Sequence, residues 1–175
     1  MLILCLLAVA TGSVPNPPNP AFQEFETRLK DYVALHRKLE EALPKLPDKA
    51  SPEEIDRNQR QLGKRIAASR SDSRPGEFFT PAIQDLVRAS LKDVLNDMGK
   101  KNLMGSIMDE NPGPIKLAIN TRYPDEVPLS TMPPPILAAL PPLEEELEYR
   151  FIGRRLVLLD VHAHLIVDYT DEVLP

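Results

Sequence analysis

The stretch Leu147–Tyr169, LEYRFIGRRLVLLDVHAHLIVDY, decides the fold of this chain. It is the densest apolar run outside the first ten residues, and it is rich in the Val, Ile and aromatic residues that favour strands. It is too long for one strand, because strands usually have about five or six residues. Gly153-Arg154 supplies a turn, whereas the second turn, Val161–His164, has no Gly, Asn or Pro. The pattern predicts an antiparallel meander with strands at about 148–152, 155–160 and 165–169.

An amphipathic helix is predicted near the start of the chain. Asn19 is a suitable N-cap, and Pro20 suits the first helical position. Spacings of three and four place one apolar face on this helix, and His36 falls within it. Such a histidine is more often partly buried with one hydrogen bond than a ligand. The apolar members of the face are Phe22, Phe25, Leu29, Tyr32, Leu39 and Leu43.

Two further helices are predicted before the strands. Ser51-Pro52-Glu53-Glu54 has the pattern of a capping box, and the helix that follows should run to about Ser69 and pair with the first as a hairpin. The third helix should begin at Thr80-Pro81 and continue to Met98, with Gly99 ending it. A short extra turn is expected at Leu103–Met108.

The predicted fold class is therefore α+β, with an N-terminal helical hairpin and a third helix packed on a small antiparallel β-meander. A further strand is expected at Ile115–Thr121, which alternates apolar and polar residues. The chain has 19 prolines, and Pro133 should start a helical turn within a proline-rich crossing. The expected regions are a signal peptide at 1–12, a proline-rich linker at 13–20, a helical region at 21–110 and a small β-sheet region at 111–175.

The first residues have the features of an export signal. Leu2–Ala10 is apolar but too short to span a bilayer as a helix, which needs about 20 residues, and Ala8-Val9-Ala10 fits a signal cleavage site. No basic residue precedes the apolar run, which indicates a start assigned too far downstream or a weak signal; a buried strand is the other alternative. Cleavage would remove Cys5, the single cysteine, and with it any disulfide or thiol chemistry.

Composition argues against nucleic acid as a partner. The net charge is −5, and residues 101–175 contain 6 basic and 12 acidic side chains, which repel phosphates. A local basic patch upstream is expected to be a solvated helix face. Its members are Lys64, Arg65, Arg70 and Arg74.

The motif with the clearest chemistry is Asp160-Val161-His162-Ala163-His164. In a strand, alternate residues share a face, so Asp160, His162 and His164 would converge on one metal ion. The alternative is that the two histidines lie in a turn or on the surface. An amidohydrolase barrel is excluded, because the residues after His164 are far too few to form one. No nucleophile elbow or phosphate-binding loop is present, so the sequence implies no catalytic residue and no cofactor.

The C-terminal blocks Glu146–Arg154 and Leu165–Asp168, with Tyr123-Pro124 upstream, resemble the C-terminal module of small exported bacterial proteins of uncharacterised function. This resemblance implies a location outside the cytoplasm and no known reaction. A fainter likeness links the same region to the C-terminal hairpin of periplasmic nickel and cobalt homeostasis proteins.

These observations lead to a functional expectation. The chain is expected to be a non-catalytic binding protein of the bacterial cell envelope, periplasmic or secreted, with another envelope protein as partner and no transmembrane span in the mature chain. The first alternative is a periplasmic transition-metal-binding protein that uses His162 and His164, and the second is an enzyme of unrecognised type.

Overall fold

Three long helices precede a four-stranded antiparallel sheet in the computed structural model, which describes residues 19–98, 115–125, 127–128, 132–171 and 173–174. The α+β class, with helices packed on a β-meander, is confirmed. The expected signal peptide, the end of the third helix at Gly99 and the turn at Leu103–Met108 lie outside the described residues.

The elements follow one another as the sequence predicts, with one short strand as the exception. The helices are α1 at Pro20–Glu41, α2 at Pro52–Ser69, α3 at Pro81–Met98 and the short α4 at Pro134–Ala139. The strands are β1 at Thr121–Arg122, β2 at Leu147–Ile152, β3 at Arg155–Asp160 and β4 at Leu165–Thr170. Their order in the sheet is β1-β4-β3-β2, and all neighbours are antiparallel.

The predicted helix starts are confirmed by their hydrogen bonds. The Asn19 side chain accepts from the backbone N–H of Ala21 at 3.0 Å. The Ser51 hydroxyl accepts from the N–H of Glu54 at 3.3 Å, and the Glu54 carboxylate accepts from the N–H of Ser51 at 2.7 Å. Both caps satisfy N–H groups that have no partner within the helix.

The predicted strand at Ile115–Thr121 is wrong, since only Thr121 and Arg122 pair with β4. The cause is Asn120, whose φ of 57° is incompatible with extended backbone. Its side chain bonds to Arg70 instead, accepting from Nη1 at 2.8 Å and donating to the carbonyl at 2.9 Å. The alternation of apolar and polar residues therefore predicted a strand wrongly here, because the long-range contact between Asn120 and Arg70 fixes a turn instead.

The sheet separates two apolar clusters. On its helical face, Leu156 and Leu158 of β3 pack with buried residues of α1, α2 and α3. On the other face, Val157 and Leu159 pack with Tyr123 and its neighbours in a smaller cluster. This alternation places Asp160, the last residue of β3, towards the helices.

A bulge in β4 turns another acidic residue towards the helices. Leu158 lies opposite Asp168 and Leu159 lies opposite Ile166, so Val167 has no partner in the register of these two strands. The extra residue changes which side chains face the helical layer. As a result, Asp168 shares a face with Leu158, and its carboxylate contacts the loop between α2 and α3.

Arg70 is buried at the C-terminal end of α2, contrary to the expectation that its patch is a solvated face. Its guanidinium donates to the Val167 carbonyl at 3.3 Å and pairs with Glu77 at 3.0 Å. It also lies 5.2 Å from the ring centre of Tyr32 and 5.5 Å from that of Phe78. The carbonyl of the bulged residue is therefore satisfied by a side chain.

We expect Arg70→Met to reduce the free energy of unfolding by about 2–4 kcal/mol, since it removes a desolvated charge that satisfies buried acceptors. Urea denaturation followed by circular dichroism measures this loss. Arg74→Met is the matched control, because Arg74 is exposed and such changes usually stay within about 0.5 kcal/mol. Equal stability of the two variants would contradict the role given to Arg70.

Among the described residues, no helix combines the length and the apolar character needed to cross a membrane.

Candidate metal centre

A buried histidine on α1 is held by a carboxylate from the sheet. His36 and Asp160 are both fully buried, and His36 Nδ1 lies 2.6 Å from Asp160 Oδ2. The Tyr32 hydroxyl donates to the same oxygen at 2.7 Å. Asp160 Oδ1 accepts from the backbone N–H of Ala163 at 2.8 Å. Asp160 thus ties one face of α1 to the turn after β3.

This hydrogen bond fixes the proton on the His36 ring. A carboxylate only accepts, so Nδ1 carries a hydrogen and the Nε2 lone pair points away from Asp160. Carboxylate–histidine pairs of this kind orient metal-ligating histidines in proteins. His36 Nε2 is buried and makes no hydrogen bond, although Glu40 Oε2 is only 3.4 Å away. A lone pair that faces a carboxylate is repelled by it, so this arrangement favours a positive charge between the two groups, either a proton on Nε2 or a cation.

Two further groups surround this nitrogen. Glu40 follows His36 by one helical turn, so both side chains lie on the same face of α1. His162 comes from the turn between β3 and β4, and its Nδ1 lies 3.2 Å from Glu40 Oε1. Its ring is 5.4 Å from the His36 ring, centre to centre. One ligand atom from each of the three residues lies within 4.8 Å of the others.

The donor set suits a borderline transition metal. Two ligands at about 2.0–2.2 Å from a tetrahedral zinc ion are about 3.4 Å apart, which matches the 3.4 Å between His36 Nε2 and Glu40 Oε2. Imidazole nitrogens favour Zn²⁺, Ni²⁺ and Cu²⁺, whereas Ca²⁺ and Mg²⁺ require oxygen ligands. The three side chains could therefore hold such an ion after small rotations of the two exposed ones.

The charges around His36 favour a cation. Burial lowers the pKa of His36, but the hydrogen bond to Asp160 and the carboxylates of Glu40 and Glu146 outweigh it and raise the pKa overall. The pKa of Tyr32 is raised well above its usual range by burial and by Asp160, so this phenol stays protonated and donates. The same negative field would attract a metal ion, which competes with the proton for the Nε2 lone pair.

The structure brings together only part of the sequence-predicted set. His162 lies in the cluster, while Asp160 holds His36. His164 is not in it: its ring packs on Tyr123 at 5.5 Å, and its Nε2 lies 3.8 Å from Asp125. Its φ of 50° turns it away from the helical layer, and burial lowers its pKa. The prediction that His162 and His164 share one ion is not supported by this placement.

Sequence reasoning missed Glu40 as a ligand candidate, and it favoured a partly buried, hydrogen-bonded role for His36 over a ligand. The available signal was a histidine on an apolar helix face followed four residues later by a glutamate. That spacing is common on surface helices, so it indicates a site only when a third ligand is near. The third ligand, His162, is distant in sequence and reaches α1 only through the packing of the sheet on the helices.

Comparison of the chain with protein-family models, curated proteins and solved structures found no match. The likeness to small exported bacterial proteins therefore stays a prediction. Nothing in the comparisons or in the described residues positively indicates catalysis.

Proposed function

We propose that this protein binds a divalent transition-metal ion, of the class of Zn²⁺, Ni²⁺ or Cu²⁺, through His36, Glu40 and His162. The observation that carries the proposal is the buried His36 Nε2, which has no hydrogen-bond donor and lies 3.4 Å from a carboxylate oxygen. Asp160 holds the imidazole in the metal-binding tautomer. The Tyr32 hydroxyl donates to the same carboxylate oxygen and helps to hold it in place.

We expect His162→Ala to weaken Zn²⁺ binding about 100-fold or more, since loss of a ligand should cost at least as much as loss of its hydrogen-bond partner. Isothermal titration calorimetry with Zn²⁺, Ni²⁺ and Cu²⁺ measures the affinities. His162 is 43% exposed in its side chain, so the variant should fold normally.

His164→Asn is the matched control for this titration. The two histidines are close in sequence, but His162 contacts His36 of α1 whereas His164 contacts Tyr123 on the other face of the sheet, and asparagine tolerates the positive φ at this position. The control should bind Zn²⁺ as the wild type does. If both variants bind equally, or if the wild type binds none of the three ions, the proposal fails.

Metal binding would be the specific form of the non-catalytic binding role expected from the sequence. The expected location outside the cytoplasm belongs to the same proposal and rests on the N-terminal apolar segment. Fractionation of bacteria that express the full chain, followed by mass determination of the recovered protein, tests it. An intact chain recovered only from the cytoplasm would contradict export.

Interaction with another envelope protein is the second candidate function. A cavity of about 680 Å³ lies between α4 and the start of β2, and Leu137 on its wall is 51% exposed. Leu137→Asp should abolish capture of a true partner that binds this wall. A protein recovered equally by wild type and variant would not support this function.

A further inference from the structure

The cavity between α4 and the start of β2 lies at an edge of the sheet, because β2 is the outermost strand. Its volume of about 680 Å³ falls within the range of about 300–1,000 Å³ that is usual for small-molecule sites. Much of its wall is aliphatic, so an aliphatic ligand would remove apolar surface from water on both sides of the contact. The wall includes Leu137, Leu140, Leu143 and Leu147.

One buried polar group belongs to this wall and has no partner. Tyr149 lines the cavity and is only 2% exposed, and its hydroxyl makes no hydrogen bond. Burial raises the pKa of this hydroxyl, so it is uncharged and able to donate. An unpaired hydroxyl in an apolar environment costs free energy, and an acceptor on a ligand would remove that cost. The hydroxyl therefore indicates a ligand that carries an oxygen acceptor.

The charges on the cavity wall are mainly negative. Arg150 is the single basic residue among the described residues of the wall, and it pairs with Glu148. Glu145 is exposed and makes no ion pair with another described residue. The carboxylates of the wall are those of Glu144, Glu145 and Glu148. Three carboxylates and one guanidinium group give these residues two net negative charges.

The groups behind the wall do not change the sign of this balance. Glu144 lies 3.4 Å from Arg37, which also pairs with Glu146 at 2.5 Å, so Arg37 and Glu146 together add no net charge. Beyond them, the His36–Asp160 pair adds no net positive charge in either protonation state of the histidine. A ligand carboxylate would therefore be repelled, whereas an ammonium group would be attracted to the exposed end of the wall.

We propose that this cavity takes a small aliphatic amine that carries an uncharged oxygen at the other end of its chain. The ammonium group lies beside Glu145, the chain packs on the leucines of the wall, and the oxygen accepts from the Tyr149 hydroxyl. This ligand is independent of the proposed metal binding. A protein partner that covers Leu137, which is the second candidate function, would compete with it.

The test is an NMR titration of the full chain in EDTA, which keeps the metal centre empty. Aminohexanol is the probe, because it has both proposed end groups. Hexylamine lacks the oxygen, and hexanoate replaces the ammonium group with a carboxylate. We expect both amines to shift the amide signals of the cavity wall in a saturable manner, and hexanoate to bind more weakly than either.

Tyr149→Phe tests the hydrogen bond to the ligand oxygen. The variant keeps the ring that packs on Phe79 at 6.5 Å, and its melting temperature should not fall, because the hydroxyl has no partner in the protein. The affinity of aminohexanol relative to hexylamine should decrease about five-fold, which corresponds to one hydrogen bond. An unchanged ratio would overturn the contact between the ligand and Tyr149.

Glu145→Gln tests the placement of the ammonium group. It should weaken aminohexanol about three-fold, as expected for one exposed charge pair. Glu26→Gln is the matched control, since Glu26 is an exposed residue of α1 that does not line the cavity, and it should bind aminohexanol as the wild type does. Equal weakening in both variants, or hexanoate binding as tight as that of hexylamine, would contradict this placement. If neither amine produces a saturable shift, the ligand is overturned while the metal proposal is unaffected.

Discussion

Asp160→Ala should reduce the free energy of unfolding by about 3–5 kcal/mol, because it removes the partner of three buried donors. The Tyr32 hydroxyl, His36 Nδ1 and the backbone N–H of Ala163 all meet its carboxylate at 2.6–2.8 Å. Without this carboxylate, the turn between β3 and β4 is no longer joined to the central part of α1 by these hydrogen bonds. Urea denaturation at neutral pH measures the change.

Asp160→Asn separates the structural role of this residue from its effect on the metal centre. The amide oxygen still accepts from Ala163, and the amide nitrogen then donates to His36 Nδ1, while the Tyr32 hydroxyl, which donated to the replaced oxygen, has to turn and accept from the amide. This reverses the tautomer and places the hydrogen on Nε2. We expect a smaller loss of stability, about 1–2 kcal/mol, but about 10–100-fold weaker Zn²⁺ binding.

The comparison of affinity with stability is the deciding measurement for this variant. Gln84→Ala serves as a matched control, since its side chain donates to the Phe79 carbonyl in another part of the fold and its loss should cost stability alone. An Asp160→Asn protein that is destabilised but binds Zn²⁺ as tightly as the wild type would show that Asp160 does not position His36 for a metal.

Local signals in the sequence were sufficient to predict most of the helices, strands and turns. The Asn19 cap, the capping box at Ser51 and the turn at Gly153 each depend on residues within a few positions, so their chemistry is readable from the sequence. The turn at Val161–His164 lacks the usual turn residues. It forms because the Asp160 side chain accepts from Ala163 and because His164 adopts positive φ.

The candidate site was less predictable because it depends on packing between distant segments. The sequence pattern indicated His162 as a ligand, but alternation along a strand does not apply within a turn, so His162 and His164 diverge. The partner of His36 lies 124 residues further along the chain. Such a contact follows only from the order of helices on the sheet, which no local pattern determines.

The loop between α2 and α3 depends on one side chain from β4. Asp168 is fully buried, and its Oδ2 accepts from the backbone N–H groups of Phe78 and Phe79 at 2.8 and 3.0 Å. Its Oδ1 accepts from those of Gly76 and Tyr169, both at 2.9 Å. Burial raises the pKa of this carboxyl, and the four N–H donors oppose that shift. The carboxylate thus serves as the acceptor for a loop that has no regular structure.

Asp168→Ala should therefore reduce the free energy of unfolding by about 3–5 kcal/mol, since it leaves several buried N–H groups without an acceptor. Asp168→Asn should be nearly as damaging, because each oxygen receives two N–H donors and either amide orientation would place an NH₂ group against two of them. Denaturation measures stability, and hydrogen exchange at Phe78 and Phe79 reports the loop directly. An Asp168→Asn protein as stable as the wild type, with unchanged exchange at both amides, would show that the carboxylate does not hold this loop.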